Sequence, residues 1–309
     1  MVGAMSLFSR AHRPDRKKAE RLVTEGYVHF KEGRLDDALH RYDAARKADP
    51  GLAVAHLDAG LCRLDLYNRD APTLERAARE HALTLAAEAL EAAVAHDPTS
   101  WRGWRALANV RERRQQWAAA ADAWAKVVTH APTEGNERAE AQRAGNAIAH
   151  QAAADRARQG AVAALKEGAT VEAQRAAAAA LAPFLEERTI VPRARALAGT
   201  LWRRAGELTQ ARALLAAAVA DDTDDVEALR ELASVCLTQG DLAAALTASL
   251  DAYRREPTDP GLVCNVGVCH LGLGALDEAA EYIDIAQRLD PKDPIIVRAK
   301  EALARARGP

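Results

Sequence analysis

Along this 309-residue chain the apolar positions recur three or four apart, and nowhere do they alternate with period two over a useful length. That spacing predicts helices throughout and no sheet. The helices come in pairs. Each block opens with an apolar helix, crosses a turn containing Gly (Gly33, Gly206, Gly240, Gly274), runs a second helix and stops near Asp-Pro or an equivalent. Glycine supplies the left-handed backbone that closes the first helix, and proline, having no N–H, cannot continue the second. The second helices share a pattern of small residue, large residue four later, small or apolar residue three later, then Pro. Examples are Ala38, Tyr42, Ala45, Pro50; Ala120, Trp124, Val127, Pro132; Ala245, Ser249, Ala252, Pro257; and Ala279, Ile283, Ala286, Pro291. Pro98 to Pro132, Thr223 to Pro257 and Pro257 to Pro291 are each 34 residues apart. A fixed period of this size identifies a stack of helical hairpins, an architecture that usually binds rather than transforms. Close crossing of the two helices requires small side chains, which predicts Gly26 against Ala38, Gly199 against Ala211 and Gly267 against Ala279.

The residues resemble the tetratricopeptide repeat (TPR) family. Its pattern, W-x2-L-G-x2-Y in the first helix followed by A-x3-F-x2-A and Pro, is similar to Trp104, Leu107, Ala108, Ala120, Trp124, Val127 and Pro132, and again to Gly199, Trp202, Ala211, Leu215 and Ala218. The resemblance implies an all-α, right-handed superhelical solenoid with the first helix of each hairpin on the concave face. Residues 293–306 resemble the capping helix of such arrays. The expected organisation is a disordered basic tail at 1–18, a three-repeat sub-array at 19–132, an irregular Ala-rich segment at 133–191, a second three-repeat sub-array at 192–291, and a capping helix and tail at 292–309.

Two departures from the period stand out. Pro50 and Pro98 are 48 apart, which inserts 14 residues into the second hairpin and predicts a long second helix from Pro72 to His96. Such a helix would project beyond the stack, either as a bare lengthened helix or as a docking arm for a partner. The other departure spans 133–191, where an extra helix at 135–157 is expected, followed by a degenerate repeat at 158–191 that aligns through Ala177 and Leu181. Glu172 replaces its turn glycine and Pro183 interrupts its second helix. The run Ala176 to Ala180 is expected to pack against a neighbouring helix rather than to act as a linker.

Charge and chemistry narrow the function. The net charge of −2 gives no overall attraction to nucleic acid. Locally, six cations lie in residues 10–21, whereas Asp221, Asp222, Asp224 and Asp225 crowd one turn. No run of 18 apolar residues predicts a membrane span, and Met5 to Ser9 is too short an apolar run for an export signal, so a cytoplasmic location is the expectation. Cys62, Cys236, Cys264 and Cys269 form no C-x-x-C pair and read as reduced core residues. There is no H-E-x-x-H motif and no phosphate loop, and the glycines at 267, 272 and 274 are explained by a helix crossing and a turn. No catalytic residue, metal site or cofactor is therefore expected.

Function is then read from the concave face, which the resemblance places at repeat positions 2, 5, 6, 9, 12 and 13 of each first helix. The first two repeats put Val23, Tyr27, Phe30, Val54, Leu57, Leu61 and Leu64 there. Later repeats add Arg102, Arg105, Asn109, Arg113, Arg193, Arg203, Arg204 and Arg230. The expected partner is a protein or peptide with acidic and apolar residues, and the competing expectation is that these arginines pair with Glu112, Glu227 or Glu231. One TPR subfamily holds a C-terminal carboxylate with cations and asparagines. Here Arg230 and Asn265 match, but Ser234, Ile295 and Ala299 do not, and Ala139 fails the set begun by Arg105 and Asn109. The reading is a non-catalytic scaffold, with self-association through groove docking as the alternative.

Overall fold

A computed structural model describes residues 14–308. Most of the expected basic tail lies outside them, but residues 16–18 already belong to the first helix, α1 (Arg16–Lys31). Asp15 caps that helix by accepting from the Lys18 N–H, and Ala19 is fully buried, so the fold starts earlier than the composition of the tail suggests. The chain divides into two compact units, Met1–Ala152 and Ala153–Pro309.

In the first unit α1 pairs with α2 (Leu35–Ala48), α3 (Ala53–Asp70) with α4 (Arg76–His96), and α5 (Trp101–Arg113) with α6 (Trp117–His130). Gly33, at φ 75°, closes the first turn as expected. The crossings are tighter than small-against-small. A Cβ on Gly26 would lie 2.6 Å from the Tyr42 ring, and one on Gly60 would lie 2.6 Å from Leu90 Cγ. The glycine therefore seats the large residue of the second helix, four positions after the alanine expected there.

The 14 inserted residues do not make one long arm from Pro72. The chain turns at 71–75, where Thr73 donates from both its N–H and its hydroxyl to the Asp70 carbonyl, and α4 begins only at Arg76. Compared with α5 and α6, α3 is longer by five residues and α4 by seven, and the turn takes the remaining two. Both arms of the hairpin are lengthened, and each covers the other. Leu66, Tyr67, Leu74 and Leu85 line an apolar depression against Leu39 of α2, and Arg69 reaches Asp36 at 3.1 Å.

The Ala-rich middle also differs from expectation. One helix, α7 (Glu137–Ala164), replaces the extra helix and the first helix of the degenerate repeat. No proline interrupts it, and its two glycines, Gly145 and Gly160, each cost only about 1 kcal/mol relative to Ala, too little to stop a helix. The unit division falls within α7. Ala141, Ala144 and Ile148 pack in the first unit with Trp124 and Val127 of α6, whereas Ala154, Ala157, Ala161 and Ala164 belong to the core of the second.

In the second unit the turn is made by Gly168 at φ 84°, four residues before Glu172, and α8 (Val171–Leu181) is capped by Thr170. Ala177, Ala178, Leu181 and Phe184 are buried while Ala176, Ala179 and Ala180 are exposed, so the alanine run is helical and packs through one face only. Three hairpins follow: α9 (Ala194–Arg204) with α10 (Leu208–Asp221), α11 (Val226–Thr238) with α12 (Leu242–Arg255), and α13 (Pro260–Gly272) with α14 (Leu276–Leu289). Aspartates 225, 241 and 259 cap α11, α12 and α13. Finally α15 (Pro294–Arg307) packs Ile296, Ala299 and Leu303 onto α13 and α14. All four cysteines are buried thiols, and burial pushes those of Cys62 and Cys264 up to about 11, far from reactive.

Candidate docking surface of the first helices

In the first unit, α1, α3 and α5 are neighbours, so their outward residues form one face. Tyr27 is 52% exposed and Val54 41%, whereas Leu57 and Leu61 are half-buried, packed on the α4 and α5 core that includes Leu90 and Leu107. Exposed aromatic and aliphatic surface of this kind is unfavourable in water until something covers it. Leu64, expected on the same face, is buried in that core.

On α5, Arg102 stacks with its guanidinium 5.4 Å from the Trp101 ring centroid, and Arg105 is exposed with no ion pair or hydrogen bond. Arg113 donates to the Asn109 carbonyl at 3.2 Å and reaches Asn68 of α3 at 3.5 Å, which shows how closely these faces adjoin. None of the three has a carboxylate partner. Glu112, the acid beside Arg113 in sequence, instead accepts from the Trp124 indole N–H.

Asp58 and Asp65 were not singled out by the sequence reading. They stand seven apart on α3, on nearly the same helical face as Leu57 and Leu61. Both are half-buried, and neither makes a hydrogen bond or ion pair. Burial pushes the Asp58 carboxyl up to about 6 and raises Asp65 as well. Burial also raises the Tyr42 hydroxyl, with the nearby Asp58 charge adding to the effect. An acidic residue between two leucines four apart was visible in the sequence. Its lack of a partner was not.

The second unit treats its expected site residues differently. Arg193 grips Asp225 at 2.6 and 2.9 Å, Arg203 pairs with Glu231, and Arg230 reaches Asp259 at 3.0 Å. Arg204 donates to the Leu165 carbonyl at 2.6 Å. Each of these four is held by its own array, and the pairs of Arg203 with Glu231 and of Arg230 with Glu227 at 3.5 Å are those of the competing expectation. Arginine and acid stand about one repeat apart, 32, 28 and 29 residues in the three ion pairs, so the pairs tie successive hairpins together. Glu231 is buried, and its cost in water-free surroundings is offset by the guanidinium. Among the described residues no group of three or more His, Cys, Asp or Glu is placed to hold a metal. No helix among them is long and apolar enough to cross a membrane.

The tetratricopeptide repeat family model matches residues 23–84, 196–260 and 265–294, about half of the chain. The chain belongs to the tetratricopeptide repeat family. Its helical hairpins, glycine turns and second-helix Ala-x3-large pattern are those of a TPR protein. No curated protein matches the sequence closely. Among solved structures, YrrB, described as a TPR protein with an unusual peptide-binding site, shares 14% identity over 84% of this chain and 97% of its own, with a TM-score of 0.34. The first TPR of Spaghetti (RPAP3), bound to an HSP90 peptide, shares 21% over 45% and 98%, at 0.37. Yeast Tom70 shares 14% over 94% and 66%, at 0.39. These likenesses concern the helical architecture alone.

Proposed function

We propose that this TPR protein is a non-catalytic scaffold whose first unit docks a partner segment on the face of α1, α3 and α5. The observation that carries the reading is the contrast between units: arginines in the second unit are held internally, whereas Arg102, Arg105 and Arg113 face outward beside exposed apolar side chains without an acid. Apolar anchors of the partner would cover Tyr27, Val54, Leu57 and Leu61, at roughly 25 cal/mol per Å² removed from water. Its acidic residues would meet the arginines, each charge-assisted contact being worth about 1.5–3 kcal/mol. An extended or helical peptide meets both demands.

Affinity capture with the purified chain, followed by hydrogen exchange on the complex with the captured partner, tests the assignment. Added protection should concentrate in 23–31, 54–65 and 102–113. Protection confined to α2, α4 and α6, or to the second unit, would place docking elsewhere.

A further inference from the structure

The surface just described has an order of charge that a purely acidic, apolar ligand would not satisfy. Going from α1 to α5 it presents exposed apolar groups (Tyr27, Val54), then Asp58 and Asp65 between and beyond two leucines, then the unpaired arginines. Several other partly buried carboxylates of the chain meet a donor: Asp43 takes Arg63 at 2.8 Å, Asp221 takes Arg195 at 2.7 Å, and Asp259 takes Arg230 and the Leu262 N–H, whereas Glu137 Oε2, like Asp58, meets none. Asp58 has no such donor although it is half-buried against apolar groups. A carboxylate in this setting loses water and gains nothing in return within the fold, so a donor arriving from outside would be held strongly. Covering Leu57 and Leu61 by an apolar segment deepens that burial further, and a ligand without a cation would leave the charge stranded.

We propose that the docked segment is amphoteric: a lysine or arginine enters beside Leu57 and Leu61 to meet Asp58, with Asp65 on its flank, while an acidic residue follows on the α5 side at Arg105. Packed helices lie about 10 Å apart, which corresponds to roughly three residues of extended chain. The cation and the acid should therefore stand three or four positions apart, next to a leucine or aromatic residue. This rests on the docking face proposed above and adds the selection rule for its occupant. Asp58 is a specificity residue, because a segment lacking the cation loses more against it than against a neutral side chain.

A random 12-residue peptide display library, selected on the immobilised full chain, on Asp58→Asn and on Arg105→Glu, tests the rule without a known partner. Selection on the native chain should enrich Lys or Arg three or four residues from Asp or Glu. On Asp58→Asn the basic enrichment should fall to the library level while the acidic and apolar preferences persist, and on Arg105→Glu the acidic preference should go. A synthetic peptide from the native selection should lose about tenfold or more in affinity for Asp58→Asn by calorimetry, with the variant's thermal melt no lower than that of the native chain. Acidic, apolar peptides without a cation, or a basic preference that survives Asp58→Asn, would overturn the amphoteric rule and leave the docking face standing. No enriched peptide, or peptides indifferent to both variants, would overturn the face and the rule together.

Discussion

At the scale of single residues, stability and binding pull Asp58 in opposite directions. Burial pushes its carboxyl up to about 6 in the fold against about 3.9 in an unfolded chain, so the folded state binds more protons between those values. Unfolding free energy then falls as pH rises through that window, and above it the ionised carboxylate is a standing cost. The titratable group that feels its charge is Tyr42, and no ion pair compensates it. Asp58→Asn should therefore stabilise the chain by about 1–2 kcal/mol at pH 7.5, once solvent screening of the half-buried carboxylate is discounted. The gain should shrink toward zero at pH 4. Urea midpoints at the two pH values check it, and a variant less stable than the native chain at pH 7.5 would mean that Asp58 has a partner in solution. The arginines give a parallel contrast. Arg203→Ala strands the buried Glu231 and should cost about 1–3 kcal/mol, whereas Arg105→Ala, which breaks no hydrogen bond or ion pair, should stay within about 0.5 kcal/mol of the native midpoint. Equal losses would remove the distinction between bound and free arginines on which the docking face rests. That distinction was illegible in the sequence, because an arginine reads the same whether its acid lies one repeat away or nowhere.

At the scale of the helices, what the sequence made legible is the punctuation. Gly33, Gly206, Gly240 and Gly274 each close a first helix at positive φ, and the Ala-x3-large pattern falls on buried faces of α2, α6 and α14, with the small Ser249 in the large place of α12. What it hid is where a helix begins without a strong cap. Pro72 is compatible with a first helical turn and with a tight turn alike. The Thr73 hydroxyl on the Asp70 carbonyl decides for the turn, so the insertion lengthens two helices instead of one. The same weakness of local signals merged two expected helices into α7. Crossing geometry gives the test at this scale. Ala120 and Ala279 are fully buried, so Ala120→Leu and Ala279→Leu should each cost ~1–3 kcal/mol by overpacking. Gly267→Ala should also destabilise, because its Cβ would stand 2.7 Å from Ile283 Cγ1 and 3.2 Å from the Ile283 backbone nitrogen, which cannot rotate away. Unchanged denaturation midpoints in all three would place the hairpin crossings at other residues.

At the scale of the molecule, a 34-residue period with degenerate motifs was enough to read the all-α class and the TPR family, because each hairpin repeats the same few packing requirements. The sequence reading also gathered arginines of both units into one cationic inner wall. Of the arginines gathered under that reading, Arg102, Arg105 and Arg113 lie in the first unit, and Arg193, Arg203, Arg204 and Arg230 lie in the second, engaged internally. The central claim is therefore confined to α1, α3 and α5. Its most direct measurement is the affinity of a captured or selected peptide for the double reversal Arg102→Glu and Arg105→Glu, set beside Arg79→Glu and Lys126→Glu on α4 and α6, which are exposed and unpaired in the same unit. The net charge change is equal, so overall attraction is held constant and only position differs. The account predicts a loss of more than ~2 kcal/mol from the first pair, at unchanged helicity, and little from the second. Equal losses from both pairs, or none from the first, would contradict it.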